Sequence, residues 1–228
     1  MTRVVALDVT GGPARLLVDA PPGGARGADE ILVLGHGAGG GPDTVDLRAL
    51  ADRLPAHGYL VLRFEQPWRL AGRGVAAAPR QLDLAWLDAL TFLHSADAGA
   101  IRRRRGRPLV VGGRSAGARV ACRTALAVGA SACLALAFPT HPPGRPDRSR
   151  LDELAGSGVP TLVIAGTRDA FGGPVSIPNG LANVTVVAIP GADHGFKVPR
   201  STGRTAEDVG DLVVAGFLAW RNGNRSQP

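Results

Sequence analysis

Continuous apolar runs of strand length alternate with longer segments of helical period along most of this chain. Ile31–Leu34, Tyr59–Phe64, Pro108–Val111, Ala132–Phe138, Val159–Ala165 and Val184–Ile189 read as strands, and the continuous apolar run Ile31–Leu34 has the pattern of a strand buried on both faces. Between them, apolar residues recur on one helical face. In Asp43–His57 these are Val45, Leu47, Leu50 and Leu54, with Gly58 as the stop; in Pro79–His94 they include Leu82, Leu87, Leu90 and Leu93. Ala116–Val128, Arg148–Ala155 and Glu207–Trp220 read as three further helices. Val4–Leu7 and Ala14–Asp19 differ, because they alternate apolar with polar positions. The turn residues Thr10, Gly11, Gly12 and Pro13 between them predict an antiparallel pair. Strands alternating with helices imply βαβ units and a mainly parallel sheet with helices on both faces. No repeat or boundary interrupts the pattern, so a single domain over residues 1–228 is expected.

Composition leaves this picture standing. The 228 residues are 45% hydrophobic and 20% charged, an ordinary globular balance. The 32 glycines and 18 prolines fall between apolar runs, which reads as many turns rather than disorder. No apolar run approaches the roughly 18 residues that cross a bilayer. Residues 1–19 lack the apolar stretch of an export signal. A soluble cytoplasmic protein with no membrane partner is therefore expected. Cys122 and Cys133 stand in no metal-ligand spacing and are expected to be small core residues rather than a disulfide.

The net charge of +7 raises the question of nucleic acid. The basic cluster Arg102–Arg107 is either a phosphate-binding patch or a solvated connection between a helix and a strand. No aromatic residue interleaves with its arginines to stack on bases, which disfavours nucleic acid as a partner. Neither pattern nor charge specifies an oligomeric state.

Four short segments carry candidate chemistry, and each follows an expected strand. In Gly112-Gly113-Arg114-Ser115-Ala116-Gly117, glycines stand two residues before and after a serine between an apolar strand and a helix. That is the requirement of a nucleophile elbow, where a strained turn exposes the serine and larger side chains would meet neighbouring backbone. A simple glycine-rich strand–helix turn is the alternative.

Gly35-His36-Gly37-Ala38-Gly39-Gly40-Gly41 follows Ile31–Leu34. It lacks the lysine and Ser/Thr that close a phosphate-binding P-loop. Its expected part is to supply the Ala38 N–H to an oxyanion, with the Ala116 N–H as the second donor. His36 is expected to pin this loop rather than act as a base.

Asp169 lies just past Val159–Ala165, where an acid that orients a histidine belongs, or where an ordinary loop cap would stand. His194 lies just past Val184–Ile189 and is the expected general base. Its neighbour Asp193 is read as local structure. The order Ser115, Asp169, His194 is that of one serine hydrolase fold among several. This chemistry needs neither metal nor cofactor.

On these residues the chain resembles the α/β-hydrolase superfamily from about Val4 to Trp220. It is more specifically similar to the small dienelactone-hydrolase-like branch. Residues 35–40, 112–119 and 138–144 resemble a group that includes bacterial predicted hydrolases, a testis-expressed protein and a subunit of a chromatin acetyltransferase complex. The resemblance implies an α/β-hydrolase fold without a large lid, and no long insertion lies between Phe138 and Arg148. It implies a serine hydrolase of small ester or thioester substrates, working through an acyl-serine. It also leaves open a non-catalytic interaction module on the same scaffold. Dienelactone hydrolases carry cysteine at the elbow where this chain has Ser115, so their substrate does not transfer. Phe64, Glu65 and Trp68 are expected to line one wall of the pocket. His141 either borders the pocket or is a surface histidine among prolines. His57 and His94, at helix ends, are expected to face solvent.

Overall fold

A computed structural model describes residues 2–103 and 105–225. Eight strands form one sheet: β1 (Arg3–Val9), β2 (Gly12–Asp19), β3 (Glu30–Gly35), β4 (Tyr59–Glu65), β5 (Leu109–Arg114), β6 (Ala132–Leu136), β7 (Thr161–Gly166) and β8 (Val184–Ile189). Their order is β1-β2-β4-β3-β5-β6-β7-β8. β1 pairs antiparallel with β2, and β2 antiparallel with β4; every other pairing is parallel. The helices are α1 (Val45–Arg53), α2 (Pro67–Leu70), α3 (Pro79–Phe92), α4 (Ala116–Thr124), α5 (Leu151–Ala155) and α6 (Ala206–Arg225).

The strand period of two divides the core into two layers. On β3, Ile31 and Val33 face one cluster, while Leu32 and Leu34 face the other. On β7, Val163 and Ala165 face the first cluster, and Leu162 and Ile164 the second. The first layer is closed by α3 and α4 through Leu82, Trp86, Leu90, Val120 and Cys122. The second is closed by α1 and α6 through Leu47, Leu50, Val213 and Phe217. Helices on both faces explain why the central strands are continuously apolar. Trp86, 1% exposed, keeps its indole N–H satisfied by a 3.1 Å bond to the Thr124 hydroxyl. Truncation of such a residue typically costs about 3–5 kcal/mol.

The expected elements all occur, with ends that differ for local reasons. Helix α1 starts at Val45, and its last turn tightens into a 3₁₀ segment over Leu54–His57, which Gly58 ends at φ 83°. Strand β6 stops at Leu136 because Ala137 takes φ 45°, outside the extended region. The short helix α2 was not expected. Cys122 and Cys133 are buried free thiols with Sγ atoms 3.8 Å apart. His57 and His94 are exposed.

The basic cluster is partly structural. Arg103 donates to the carbonyls of Arg107, Val128 and Gly129, and Arg107 donates to those of Ala25 and Arg26. Arg104 lies outside the described residues. No helix among the described residues is long and apolar enough to cross a membrane.

Candidate active site

The loops after β3, β5, β7 and β8 meet at one edge of the sheet, the carboxyl ends of the parallel strands, where ligands of such sheets bind. Ser115 stands between β5 and α4 with φ 53° and ψ −109°, a conformation that costs a non-glycine residue about 1–3 kcal/mol. Its N–H is held by the Leu136 carbonyl at 2.9 Å. The flanking glycines are required by contact. A Cβ on Gly113 would lie 2.5 Å from the Gly35 carbonyl oxygen, and one on Gly117 2.3 Å from the same atom. The elbow is thus wedged against the end of β3.

His194 Nε2 lies 3.0 Å from Ser115 Oγ, and His194 Nδ1 lies 2.8 Å from Asp169 Oδ2. A carboxylate can only accept at Nδ1, so Nδ1 carries the proton and Nε2 accepts from the serine hydroxyl. The Asp169 side chain has no solvent exposure, and its Oδ1 accepts the Phe171 N–H at 2.8 Å. The Phe171 ring meets the imidazole edge-on at 4.4 Å.

Two packed loops carry this pair. A Cβ on Gly166 would lie 2.2 Å from the Ala192 carbonyl oxygen, and the Arg168 N–H donates to that same carbonyl at 2.9 Å. Asp193 Oδ1 accepts the N–H groups of Gly195 and Lys197, which shapes the turn beyond His194.

Ala38 and Ala116 line the same open cavity of about 420 Å³ as Ser115 and His194. Ala116 is the first residue of α4, so its N–H has no intrahelical partner and sits at the positive end of the helix dipole. His36 holds the Ala38 loop: its Nδ1 donates to the Gly37 carbonyl at 2.9 Å, and its Nε2 accepts the Gln66 N–H at 3.2 Å. Both bonds suit the neutral ring, and burial lowers its pKa below the ordinary histidine value.

The other expected wall does not form. Phe64 is fully buried in the core against Trp86, 6.0 Å between ring centres. Glu65 is ion-paired with Arg15, the residue opposite it across the β2–β4 pairing. Trp68, 5% exposed, packs on His36 and faces a void of about 10 Å³ behind Ala38 and Ala116. The pleat of β4 puts Phe64 on the core face with Leu60 and Leu62, and Trp68 is buried as part of α2. His141 is half-buried beside the cavity-lining Pro139 and Pro143, and its Nδ1 donates to the Pro142 carbonyl at 2.9 Å.

Three arginines were not singled out by sequence. Arg119 and Arg150 line the cavity, and Arg114 donates to the His194 carbonyl at 2.7 Å. The spacing of Arg119, one helical turn past Ser115, was the available signal for the first. No cluster of three or more metal-ligating side chains occurs among the described residues.

Residues 28–222 match the family model of the alpha/beta hydrolase domain. None of the curated protein sequences is a significant match. Among solved structures, a serine hydrolase without lid from Xanthomonas campestris is 22% identical, with a TM-score of 0.71 over 96% of this chain and 94% of that one. Dienelactone hydrolase from Anabaena variabilis is 20% identical, with a TM-score of 0.66 over 96% and 94%. Esterase 2 of Thermogutta terrifontis, solved as its tabun adduct, is 15% identical, with a TM-score of 0.63 over 100% and 97%. At such identities the likeness to solved structures is one of fold. The family match over most of its length is decisive, and the chain belongs to the alpha/beta hydrolase domain family.

Proposed function

We propose that this chain is a serine hydrolase that cleaves small ester or thioester substrates through an acyl-serine intermediate. The observation that carries the reading is the unbroken hydrogen-bond series from Ser115 through His194 to Asp169. Ser115 Oγ attacks the substrate carbonyl as its proton passes to His194 Nε2. Asp169 accepts from Nδ1 and stabilises the imidazolium that results. The carbonyl oxygen becomes an oxyanion between the N–H groups of Ala38 and Ala116, at the start of α4. The imidazolium then protonates the leaving oxygen or sulfur as its bond to the carbon breaks, so that the alcohol or thiol departs and the acyl group stays on Ser115. Water delivers a proton to His194 as it attacks the acyl-serine, and the imidazolium returns that proton to Ser115 Oγ as its bond to the acyl carbon breaks, which releases the acid and restores the serine. No metal or cofactor takes part in these steps.

The cavity is open and of modest volume, and Pro139 and Pro143 are its contribution from the loop after β6. That supports small substrates. Mixing the protein with excess 4-nitrophenyl butanoate tests the reading. A burst of nitrophenol matching the enzyme concentration, then slower turnover, is expected, with both phases absent from Ser115→Ala. Equal turnover by parent and variant would remove Ser115 from the reaction, and a parent without either phase would favour a non-catalytic α/β-hydrolase-like module.

A further inference from the structure

The cavity beside Ser115 is lined by charged groups of one sign. Its lining residues include Arg119 and Arg150 and no carboxylate. Asp169 is shut behind His194, with no exposed side-chain surface. The two arginines are differently engaged. Arg119 is held as a fork by Glu153, with Nε and Nη2 at 2.7 and 2.5 Å from its two oxygens. Glu153 is also shared with Arg123, which takes Asp83 as well. Arg150 has no such partner. Its Nη1 donates to the His141 carbonyl at 3.2 Å, and among the described residues no carboxylate lies within ion-pair distance.

The surroundings leave this charge under-compensated. Burial lowers the Arg150 pKa, and the nearby guanidinium groups of Arg119, Arg123 and Arg148 lower it further. Glu153 acts in the opposite sense but is already committed to two other arginines. A partly buried guanidinium with free donors next to a nucleophile is complementary to a planar anion.

We propose that Arg150, backed by Arg119, binds a carboxylate group on the substrate, so that the favoured esters or thioesters are those that carry a carboxylate besides the bond to be cleaved. This rests on the serine hydrolase reading and adds the substrate class to it. Arg150 acts on specificity: it holds a part of the substrate that does not react, so its contribution falls mainly on KM. The carboxylate belongs either to the acyl part or to the leaving group.

The test compares three substrates at low salt. These are neutral 4-nitrophenyl butanoate, the mono-4-nitrophenyl ester of glutaric acid with its carboxylate on the acyl part, and 4-butanoyloxybenzoate with its carboxylate on the leaving group. At least one anionic ester is expected to exceed the neutral one about tenfold or more in kcat/KM, chiefly through KM, with the margin shrinking as salt rises. In Arg150→Gln the anionic-to-neutral ratio is expected to fall by about the same factor, and Arg150→Lys is expected to restore part of it. Arg145→Gln alters an exposed arginine outside the cavity and is expected to leave the ratio unchanged. Neutral turnover with no anionic preference, or a ratio that Arg150→Gln does not move, would overturn this inference while the hydrolase reading stands. A parent protein inert to all three esters would overturn both.

Discussion

Arg114 Nη2 donates a 2.7 Å hydrogen bond to the main-chain carbonyl of His194, so the residue before Ser115 holds the loop that carries His194. Its Nε faces Asp46 of α1 at 3.4 Å, and the Asp46 side chain has no exposed surface. One guanidinium therefore ties together the elbow, the histidine loop and the helix behind the glycine loop. Burial pushes the Asp46 carboxyl above its ordinary pKa, and Arg114 opposes that rise.

Removing one member of this buried pair should cost more than removing both. Arg114→Met strands Asp46 without a counter-charge and is expected to destabilise by about 3–5 kcal/mol. The double variant Arg114→Met with Asp46→Asn is expected to recover part of that loss. Urea unfolding of the parent, the two single variants and the double variant measures the coupling. Strictly additive losses would show that the pair is not an energetic unit.

Asp169→Asn is expected to keep the fold and lose about 10³-fold or more in kcat. An asparagine oxygen can still accept the Phe171 N–H, but the amide NH₂ then faces His194 Nδ1. The ring would hold its proton on Nε2, against Ser115, in the wrong tautomer for a base. Steady-state kinetics alongside a thermal melt separate this outcome from simple unfolding.

The elbow glycines differ sharply from others nearby. Gly117→Ala would push a methyl group into the Gly35 backbone and is expected to destabilise by more than about 2 kcal/mol, with loss of activity. Gly39, in the glycine loop, has nothing within 4 Å of where a Cβ would stand. Gly39→Ala is expected to stay within about 0.5 kcal/mol of the parent in the same unfolding assay.

Acid should loosen the loop that carries Ala38. Burial depresses the pKa of His36 in the folded state, so between that value and the unfolded value of 6.5 the unfolded chain binds the extra proton. The stabilisation is complete above pH 6.5 and declines as pH falls below it. Melting temperature followed across this range is expected to drop for the parent and to drop less for His36→Asn. Parallel curves would remove His36 from the account.

The order of strands and helices was legible because this sheet buries its central strands on both faces, so β3, β5 and β7 stand out as unbroken apolar runs. The Ser115 and Asp169 positions were legible because each follows such a run and the elbow demands glycines at fixed offsets, and His194 because it follows the last strand, β8. What escaped depends on partners distant in sequence. Arg114 is explained by Asp46 and His194, and Arg119 by Glu153, pairings that no local pattern encodes. Phe64 and Trp68 stand near a strand end, as the pocket residues do, but Phe64 is held on the core face of β4 and Trp68 belongs to a four-residue helix too short to show a period. Ala137 could not be seen as the stop of β6, because nothing in its type signals a positive φ.

The most direct measurement of the central claim is intact-protein mass spectrometry after exposure to a fluorophosphonate, in the parent and in Ser115→Ala. The account predicts a single adduct on the folded parent, located by peptide mapping at Ser115, and no adduct on the variant. A folded parent that stays unmodified, or a variant modified to the same extent, would contradict it.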